Sequence, residues 1–467
     1  MLPVLKCFAK RLALAFWLGF SFAGTAPADE SVQLAPDQLR AVAAIELQNG
    51  APERAVTYSY ALIQRDDKDR IAHLIHARAL RDLGDYDGAL KSARTAWSLS
   101  QTDAQMYSSA MVMAQIQSSA GRRTYAQLWL RRAVQAAPND VLEKRAIRDF
   151  RYVRAQNPWS TRLSFAITPD SNINNGSSSR SSFLNYRLTE VLFGEPVEYA
   201  LTGPARALSG IEYSLGFDTR YRFKQTAKRA NDLFFSLNVR HYSLSQDAKT
   251  TAPGASGSDF AYASYHIGYG HRGYNFTNRG EFALRADLGQ SWYSGNEYTR
   301  FMRASAIQSY ALSRRTRVNA RLSGERQIGV TTSDLDTVRA DFWFARVLPS
   351  RAQLRVFATG AVATSPTRTE EFSELGLRAS LALADQWLGA YVQFGLGYRT
   401  RDYNFSTHSF AGRHDDRVNA EMTLIFEQVD YYGFNPTMTI YAEKTDSNIG
   451  LYEARRLGVN FGIQSAF

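Results

Sequence analysis

The chain closes with residues 457–467, LGVNFGIQSAF, in which positions 457, 459, 461, 463 and 467 are large and apolar. The residues between them are small or polar, and this alternation gives the two faces of a β-strand different environments. About ten residues is the length that a tilted strand needs to cross a bilayer. The stretch therefore predicts a membrane-spanning strand.

The other end of the chain has the pattern of a secretory signal peptide. Three basic residues precede an apolar stretch at residues 12–22, and a small-residue cleavage site follows at residues 26–28. The apolar stretch is too short to cross a bilayer as a helix. Residues 1–28 are therefore predicted to be removed on export, and the only cysteine, Cys7, leaves with them.

The remaining composition argues against helical membrane spans. No other stretch approaches the roughly eighteen uninterrupted apolar residues that a span requires, and the mean hydropathy is −0.33. Only helices and closed barrels satisfy every backbone polar group in hydrocarbon, so an exported, alternating chain predicts a barrel. The formal charge of +11 would suit nucleic acid in a cytosolic protein, but export excludes that partner. The excess arginines are expected to meet lipid phosphates or to line a lumen.

Residues 29–156 predict a helical domain with an internal repeat. Gly50, Gly84 and Gly121 are spaced by 34 and 37 residues, which is the period of tetratricopeptide repeats. Each glycine is expected to end the first helix of a pair. An alanine follows each glycine five positions later, where paired helices cross closely: Ala55, Ala89 and Ala126. The alternative is a generic helical bundle. Repeats of this kind form a binding surface rather than a catalytic site.

After Asn157-Pro158-Trp159 the pattern changes to period two, which predicts a barrel domain over residues 159–467. The fold class is therefore α + β with two domains: an all-α tetratricopeptide-like domain followed by an antiparallel transmembrane β-barrel of about fourteen strands. Strands are expected to start near residues 160, 209, 232, 259, 278, 300, 315, 335, 351, 371, 387, 413, 434 and 454. The apolar positions of the last strand are predicted to be the signal that barrel-assembly machinery reads: Val459, Phe461, Ile463 and Phe467.

No chemistry-bearing motif emerges from the sequence. The histidines and serines form no nucleophile-elbow pattern, and there is no phosphate-cradling glycine loop and no metal-spaced cluster. We predict no catalytic residue, no metal site and no cofactor.

Three features of the mature chain resemble the surface lipoprotein assembly modifiers, known as Slam proteins. The first is the order of signal peptide, short tetratricopeptide domain and barrel. The second is TPDSNIN at residues 168–174, and the third is GFNPT at residues 433–437, which leads through SNIGLY at residues 447–452 to the last strand. The resemblance implies a fourteen-stranded barrel in the outer membrane, with its helical domain in the periplasm. It also implies that the barrel moves particular client proteins to the cell surface.

The resemblance leaves the client open, since clients are surface lipoproteins in some members and secreted proteins that capture haem or iron carriers in others. The expected partners are the client, periplasmic chaperones, the barrel-assembly machinery and outer-membrane lipid. Two alternatives remain. One is a polysaccharide-export porin with periplasmic tetratricopeptide repeats, and the other is a passive porin.

The tetrapeptide Asp-Ser-Asn-Ile occurs twice, at Asp170, Ser171, Asn172 and Ile173 and again at Asp446, Ser447, Asn448 and Ile449. If the first strand leaves the periplasm and the last returns to it, both copies lie at the outer end of the two strands that close the barrel. We therefore expect the two copies to mark the seam. The alternative is a pair of similar loop caps, because Asn and Asp favour tight turns.

Period-two alternation also predicts lumen-facing charges. Arg315, Arg317 and Arg321 alternate with apolar residues, as does Glu421 further along the chain. Two roles are open for the arginines. They bind acidic segments of a client in passage, or they pair with Glu421 and other lumen acids as structural plugs.

Overall fold

The computed structural model describes residues 33–465, so the predicted signal peptide and Phe467 lie outside the described residues. Within this range the chain begins with seven consecutive helices. They are α1 (Pro36–Gln48), α2 (Pro52–Arg65), α3 (Arg70–Asp82), α4 (Tyr86–Ser98), α5 (Asp103–Ser119), α6 (Arg123–Gln135) and α7 (Asp140–Gln156).

The helices pair as the glycine repeat predicts. Gly50, Gly84 and Gly121 follow the ends of α1, α3 and α5, and their φ values are +74°, +85° and +74°. Glycine adopts this left-handed conformation without a Cβ penalty, so it ends one helix and turns the chain into the next. The alanine five positions after each glycine is 0% exposed, because the paired helices leave no room for a larger side chain. The prediction of a tetratricopeptide-like domain is confirmed.

Sixteen strands follow in the described range. They are β1 (Trp159–Asp170), β2 (Ser181–Phe183), β3 (Glu198–Ala200), β4 (Gly210–Gln225), β5 (Arg229–Leu244), β6 (Tyr262–Asn275), β7 (Gly280–Tyr293), β8 (Asn296–Ser313), β9 (Thr316–Gly329), β10 (Leu335–Val347), β11 (Gln353–Thr364), β12 (Phe372–Ala382), β13 (Tyr391–Tyr403), β14 (Arg413–Ile425), β15 (Phe434–Ser447) and β16 (Ala454–Ser465).

Fourteen of these strands form one closed antiparallel barrel, in which β1 and β4 to β16 are neighbours in chain order and β16 returns to β1. The predicted barrel of about fourteen strands is confirmed. The remaining two strands, β2 and β3, pair with each other inside the connection between β1 and β4. That connection also contains the helix α8 (Tyr186–Phe193), and α9 (Gln246–Thr251) lies in the connection after β5.

The outer face of the barrel is apolar. Along β1, Leu163, Phe165 and Ile167 are exposed while the residues between them point into the lumen, and the other barrel strands alternate in the same way. This is the arrangement of a strand that faces lipid on one side and water on the other. Among the described residues, no helix is both long enough and apolar enough to cross a membrane.

The two ends of the barrel differ. β1 begins and β16 ends at the same end, and α7 leads directly into β1 there, so we call it the helical end. The opposite end carries the longest connections, residues 171–209 and 245–261, and we call it the loop end.

The barrel seam and the lumen

The seam between β1 and β16 has the least backbone pairing in the barrel wall. The two strands pair at Ala166 with Gly462, Ile167 with Phe461 and Asp170 with Gly458. Every other pair of neighbouring strands matches at ten or more positions. One local cause is Pro169, which has no N–H to give to the ladder. Hydrocarbon offers no replacement for a missing backbone partner, so β1 and β16 are the least strongly paired neighbours in the wall.

At its loop end the seam is held by a buried charge. The Asp170 carboxylate is 0% exposed and accepts hydrogen bonds from the Tyr441 hydroxyl and from Arg456 Nε, each at 2.5 Å. Arg456 Nη2 also lies 4.0 Å from Glu212 Oε2. These side chains come from β1, β15, β16 and β4, so one network spans the closure. A buried carboxylate of this kind is stable only while its partners are in place.

The first Asp-Ser-Asn-Ile copy continues this closure. The Ser171 N–H donates to the Leu457 carbonyl at 3.0 Å, and the Ser171 hydroxyl accepts from the Leu457 N–H at 2.8 Å. Asn172 is buried and donates to the carbonyls of Gly176 at 2.9 Å and Arg455 at 3.3 Å. Ile173 is buried in a small cluster at the loop end with neighbours that include Leu208 and Tyr242.

The second copy lies elsewhere, and its expected placement on the closing strand is wrong. Asp446 and Ser447 are the last residues of β15, and Asn448 and Ile449 belong to the connection that follows. The Asn448 amide accepts from the His414 N–H at 2.8 Å and donates to the Gly412 carbonyl at 3.1 Å, so it faces β14 rather than β1. The chain needs the intervening residues to turn before β16 starts at Ala454, which moves this copy one strand away from the seam.

The connection after β15 nevertheless touches the first long connection. The Ser177 hydroxyl donates to the Gly450 carbonyl at 2.6 Å, and the Leu451 N–H donates to the Ser182 hydroxyl at 3.0 Å. Nearby, the Asn185 N–H donates to His408 Nδ1 at 2.9 Å. Burial lowers the pKa of His408, and Arg413 lowers it further, which favours the neutral ring that accepts this bond. The loop end of the seam is therefore covered as well as paired.

At the helical end the seam is held differently. Within the described residues, positions 163–165 of β1 form no ladder with β16. Instead Arg131 of α6 donates to the carbonyls of Tyr432 and Gly433, both at 2.9 Å, and to the Ser465 hydroxyl of β16 at 2.8 Å. We call this contact the clasp.

Aromatic rings and burial complete the clasp. The Arg131 guanidinium lies 4.8 Å from the Phe150 ring centre and 4.3 Å from the Phe434 ring centre. Gln135, one turn further along α6, accepts the Tyr432 N–H at 2.8 Å. Burial lowers the pKa of Arg131, and Arg154 adds to this, but an arginine still stays charged near neutral pH. No local pattern in the sequence indicates the role of Arg131, because its partners lie about three hundred residues away.

Three of the four residues predicted to face the lumen lie within strands, and the fourth lies in a turn. Arg317, Arg321 and Glu421 occupy inward positions of β9 and β14, opposite in phase to exposed apolar neighbours such as Leu322. Arg315 lies in the turn between β8 and β9 at the helical end, so its expected lumen position is wrong. Period-two alternation continues through a tight turn and does not reveal where a strand ends. The partner of Glu421 is Arg378, not one of the predicted arginines.

Two inward carboxylates that the sequence analysis missed organise the lumen charges. Glu374 of β12 lies 2.5 Å from Arg401, 3.4 Å from Arg339 and 3.6 Å from Arg399. On the opposite part of the wall, Asp232 lies 3.2 Å from Arg272, 3.3 Å from Arg222 and 3.8 Å from Arg220. Both acids share the inward phase of their strands, but their arginine partners lie on other strands and leave no local signal in the sequence.

The predicted assembly signal lies on β16. Phe461 and Ile463 are 50% and 55% exposed on the outer face, and Val459 shares their side of the strand. Phe467 is outside the described residues, and the recognition role stays a prediction. Across residues 33–465 there is no group of three or more side chains suited to hold a metal ion.

A family model described as "Surface lipoprotein assembly modifier" matches residues 159–464. No curated protein matches the chain. Among solved structures, the chain is similar to the type III secretion translocator chaperone SycD of Yersinia enterocolitica, at 21% identity over 27% of this chain and 88% of that chain, with a TM-score of 0.24.

The chain is also similar to a loop L8 deletion mutant of OmpT, an outer membrane protein of Vibrio cholerae, at 9% identity over 65% of this chain and 99% of that chain, with a TM-score of 0.33. A bacterial polysaccharide outer membrane secretin gives 7% identity over 65% and 98%, with the same TM-score of 0.33. Likenesses at these scores carry no argument about function. The family match covers well over half of the chain, and the protein therefore belongs to the surface lipoprotein assembly modifier family as an outer-membrane β-barrel.

Proposed function

We propose that this barrel moves an exported client protein across the outer membrane to the cell surface, with the helical domain in the periplasm. The client is a surface lipoprotein or a secreted protein that binds haem or iron carriers. The observation that carries the proposal is the clasp. It joins a repeat domain of the kind that binds other polypeptides to the strand that closes the barrel.

The site residues have a role in this proposal. A lipid anchor is drawn into the bilayer, because burying each CH₂ of an acyl chain contributes about 0.8 kcal/mol. To pass from the lumen into the bilayer, the anchor needs an opening in the wall. The β1–β16 seam is the place where that opening disrupts the fewest backbone pairs. Separation would start at the helical end, while Asp170 and its partners hold the loop end.

The proposal is tested in the native host by deleting the gene and following the exported protein or lipoprotein encoded beside it. We expect intact cells that lack the barrel to protect this client from added protease, whereas re-expression of the wild-type chain restores its cleavage. Total client levels measured after lysis control for expression. Unchanged surface cleavage in the deletion strain would contradict the proposal for that client. Loss of surface polysaccharide instead would favour the export-porin alternative, and loss of small-solute uptake alone would favour a passive porin.

A further inference from the structure

One cavity in the lumen, of about 630 Å³, collects an arginine from each of five consecutive strands. They are Arg272 of β6, Arg285 of β7, Arg303 of β8, Arg321 of β9 and Arg339 of β10. Arg272 lies near the helical end of its strand and Arg339 near the loop end of its own. The five arginines are therefore spread along the wall between its two ends.

Three acids of the inner face are screened from the lumen by the arginines that bind them, whereas Glu325 and Asp341, which also line the cavity, are half-buried. The side chains of Asp232, Asp287 and Glu374 are 3%, 4% and 0% exposed. Their partners Arg272, Arg285 and Arg339 are 33%, 31% and 36% exposed. At these three positions a solute in the lumen meets guanidinium groups, with the carboxylates behind them. Because Asp232 and Glu374 each serve three arginines, positive charge remains in excess at both places.

Two further lumen arginines, Arg317 and Arg355, add positive charge beside Arg321 of the cavity. Arg317, Arg321 and Arg355 are exposed on the inner faces of β9 and β11. In the described part of the chain, no carboxylate lies within ion-pair distance of any of the three. Arg321 rests 5.7 Å from the centre of the Trp343 ring. Its cross-strand neighbour on β10 is Asp341, whose carboxylate accepts from the Thr359 hydroxyl and forms no ion pair with Arg321.

We propose that this wall is a binding track for an acidic, extended segment of polypeptide, and we call it the arginine track. The inference rests on the proposed function, because it assigns a chemical class to the part of the client that enters the lumen. Guanidinium groups bind carboxylates through paired N–H donors, and a low-dielectric wall strengthens that attraction. Aromatic rings beside the arginines, such as Phe234 at 4.1 Å from Arg285, offer apolar contact between the charges. An extended polypeptide that carries carboxylates at intervals matches this succession of positive charges and aromatic rings.

The track is tested by binding, which needs neither an open channel nor a known client. The probe is a peptide of about ten residues, the length of one membrane-crossing strand, with alternating Glu and Ser and a neutral dye. Its anisotropy is followed on titration with the full-length protein in detergent. A peptide of the same length with alternating Lys and Ser is the control with the opposite charge. We expect the acidic peptide to bind and the basic peptide not to bind. The acidic complex should dissociate at about 1 M salt, where the Debye length is near 3 Å.

The decisive variant is R317Q/R321Q/R355Q, which removes three positive charges without stranding a buried carboxylate. We expect this variant to lower the affinity for the acidic peptide about tenfold, which is equivalent to about 1.4 kcal/mol. The matched control is R314Q/R315Q/R351Q, which removes three arginines from exposed turns at the helical end and should change binding less than about twofold. Heat-dependent migration on gels verifies that each barrel is folded. If one triple variant does not fold, the single variant R321Q is compared with R315Q.

Equal binding of the two peptides, or equal effects of the two triple variants, would overturn the track. Binding of polyglucuronate at concentrations where the acidic peptide does not bind would overturn it in favour of an anionic polysaccharide. The result is independent of client display in cells. If the track binds the acidic peptide while deletion of the gene leaves every client displayed, this inference stands and the proposed function fails.

Discussion

The two halves of the β1–β16 seam are held by different means. Toward the loop end, the strands share backbone pairs and the buried Asp170 network. Toward the helical end, β16 is held by Arg131 of the helical domain rather than by β1. The loop-end half is therefore closed by the barrel itself. The helical-end half depends on a domain that lies outside the wall.

The largest effect is expected from breaking the loop-end half. Asp170→Asn keeps the size of the side chain but removes the charge that balances Arg456. Loss of one partner from a buried ion pair costs about 3 kcal/mol or more, and we expect a fall of that size in the free energy of unfolding in urea.

The control for this change is the second Asp-Ser-Asn-Ile copy. Asp446→Asn removes the same group from an exposed pair with Lys444, in which the two side chains are 60% and 51% exposed. Exposed ion pairs contribute at most about 1 kcal/mol, so the unfolding free energy should barely change. Similar losses in the two variants would show that the Asp170 network has no special role in closing the barrel.

A smaller, local effect is expected from breaking the clasp. Arg131→Ala removes hydrogen bonds from a charged donor to Tyr432, Gly433 and Ser465. Such bonds contribute about 1.5–3 kcal/mol. Exchange of the Tyr432 amide hydrogen, which Gln135 now protects, should accelerate on the order of tenfold.

The neighbouring residue gives a matched control for the clasp. Arg132→Ala removes an arginine whose guanidinium lies 4.3 Å from the Trp129 ring centre, within α6 itself. Its effect on Tyr432 exchange should be negligible. Exchange that is equally fast in both variants would mean that the helix is destabilised as a whole, and that Arg131 does not specifically hold the barrel.

The smallest effect concerns the cover over the loop-end half. His408 faces Arg413, Tyr452 and the Asn185 N–H, and the pKa of its ring lies below the ordinary value of 6.5. The bond to Asn185 is present above that lowered pKa and is lost as the pH falls through it, because protonated Nδ1 cannot accept. The expected loss is about 1 kcal/mol.

This pH effect is measured as exchange protection of the Asn185 amide, corrected for intrinsic exchange at each pH. Protection should fall on acidification in the wild type. His408→Gln removes the titration, so its protection should be nearly independent of pH. A wild-type profile as flat as that of His408→Gln would contradict the assignment.

The alternation in the sequence predicts the barrel well because lipid and lumen impose opposite demands on successive residues. The same logic predicts inward positions for Arg317, Arg321 and Glu421, which lie within β9 and β14. It fails for Arg315, since a tight turn continues the alternation past the strand end.

The alternation does not predict how the first and last barrel strands meet. Asp170 finds its partners Tyr441 and Arg456 only when the first and last barrel strands meet in one register. That register depends on the stagger of all fourteen strands, not on local pattern. The repeated tetrapeptide was therefore informative for its first copy, which does lie at the seam, and misleading for its second.

The claim that the seam opens is tested most directly by locking it. Cysteines replace Ala166 of β1 and Gly462 of β16, which pair across the seam; the control replaces Ala166 and Ser214, which pair across β1 and β4. The only native cysteine, Cys7, lies in the predicted signal peptide. Protease cleavage of the client on intact cells is then measured before and after oxidation. We predict that the oxidised seam pair abolishes surface display, that a reductant restores it, and that the control pair leaves display unchanged. Full display with the seam crosslinked would contradict the account.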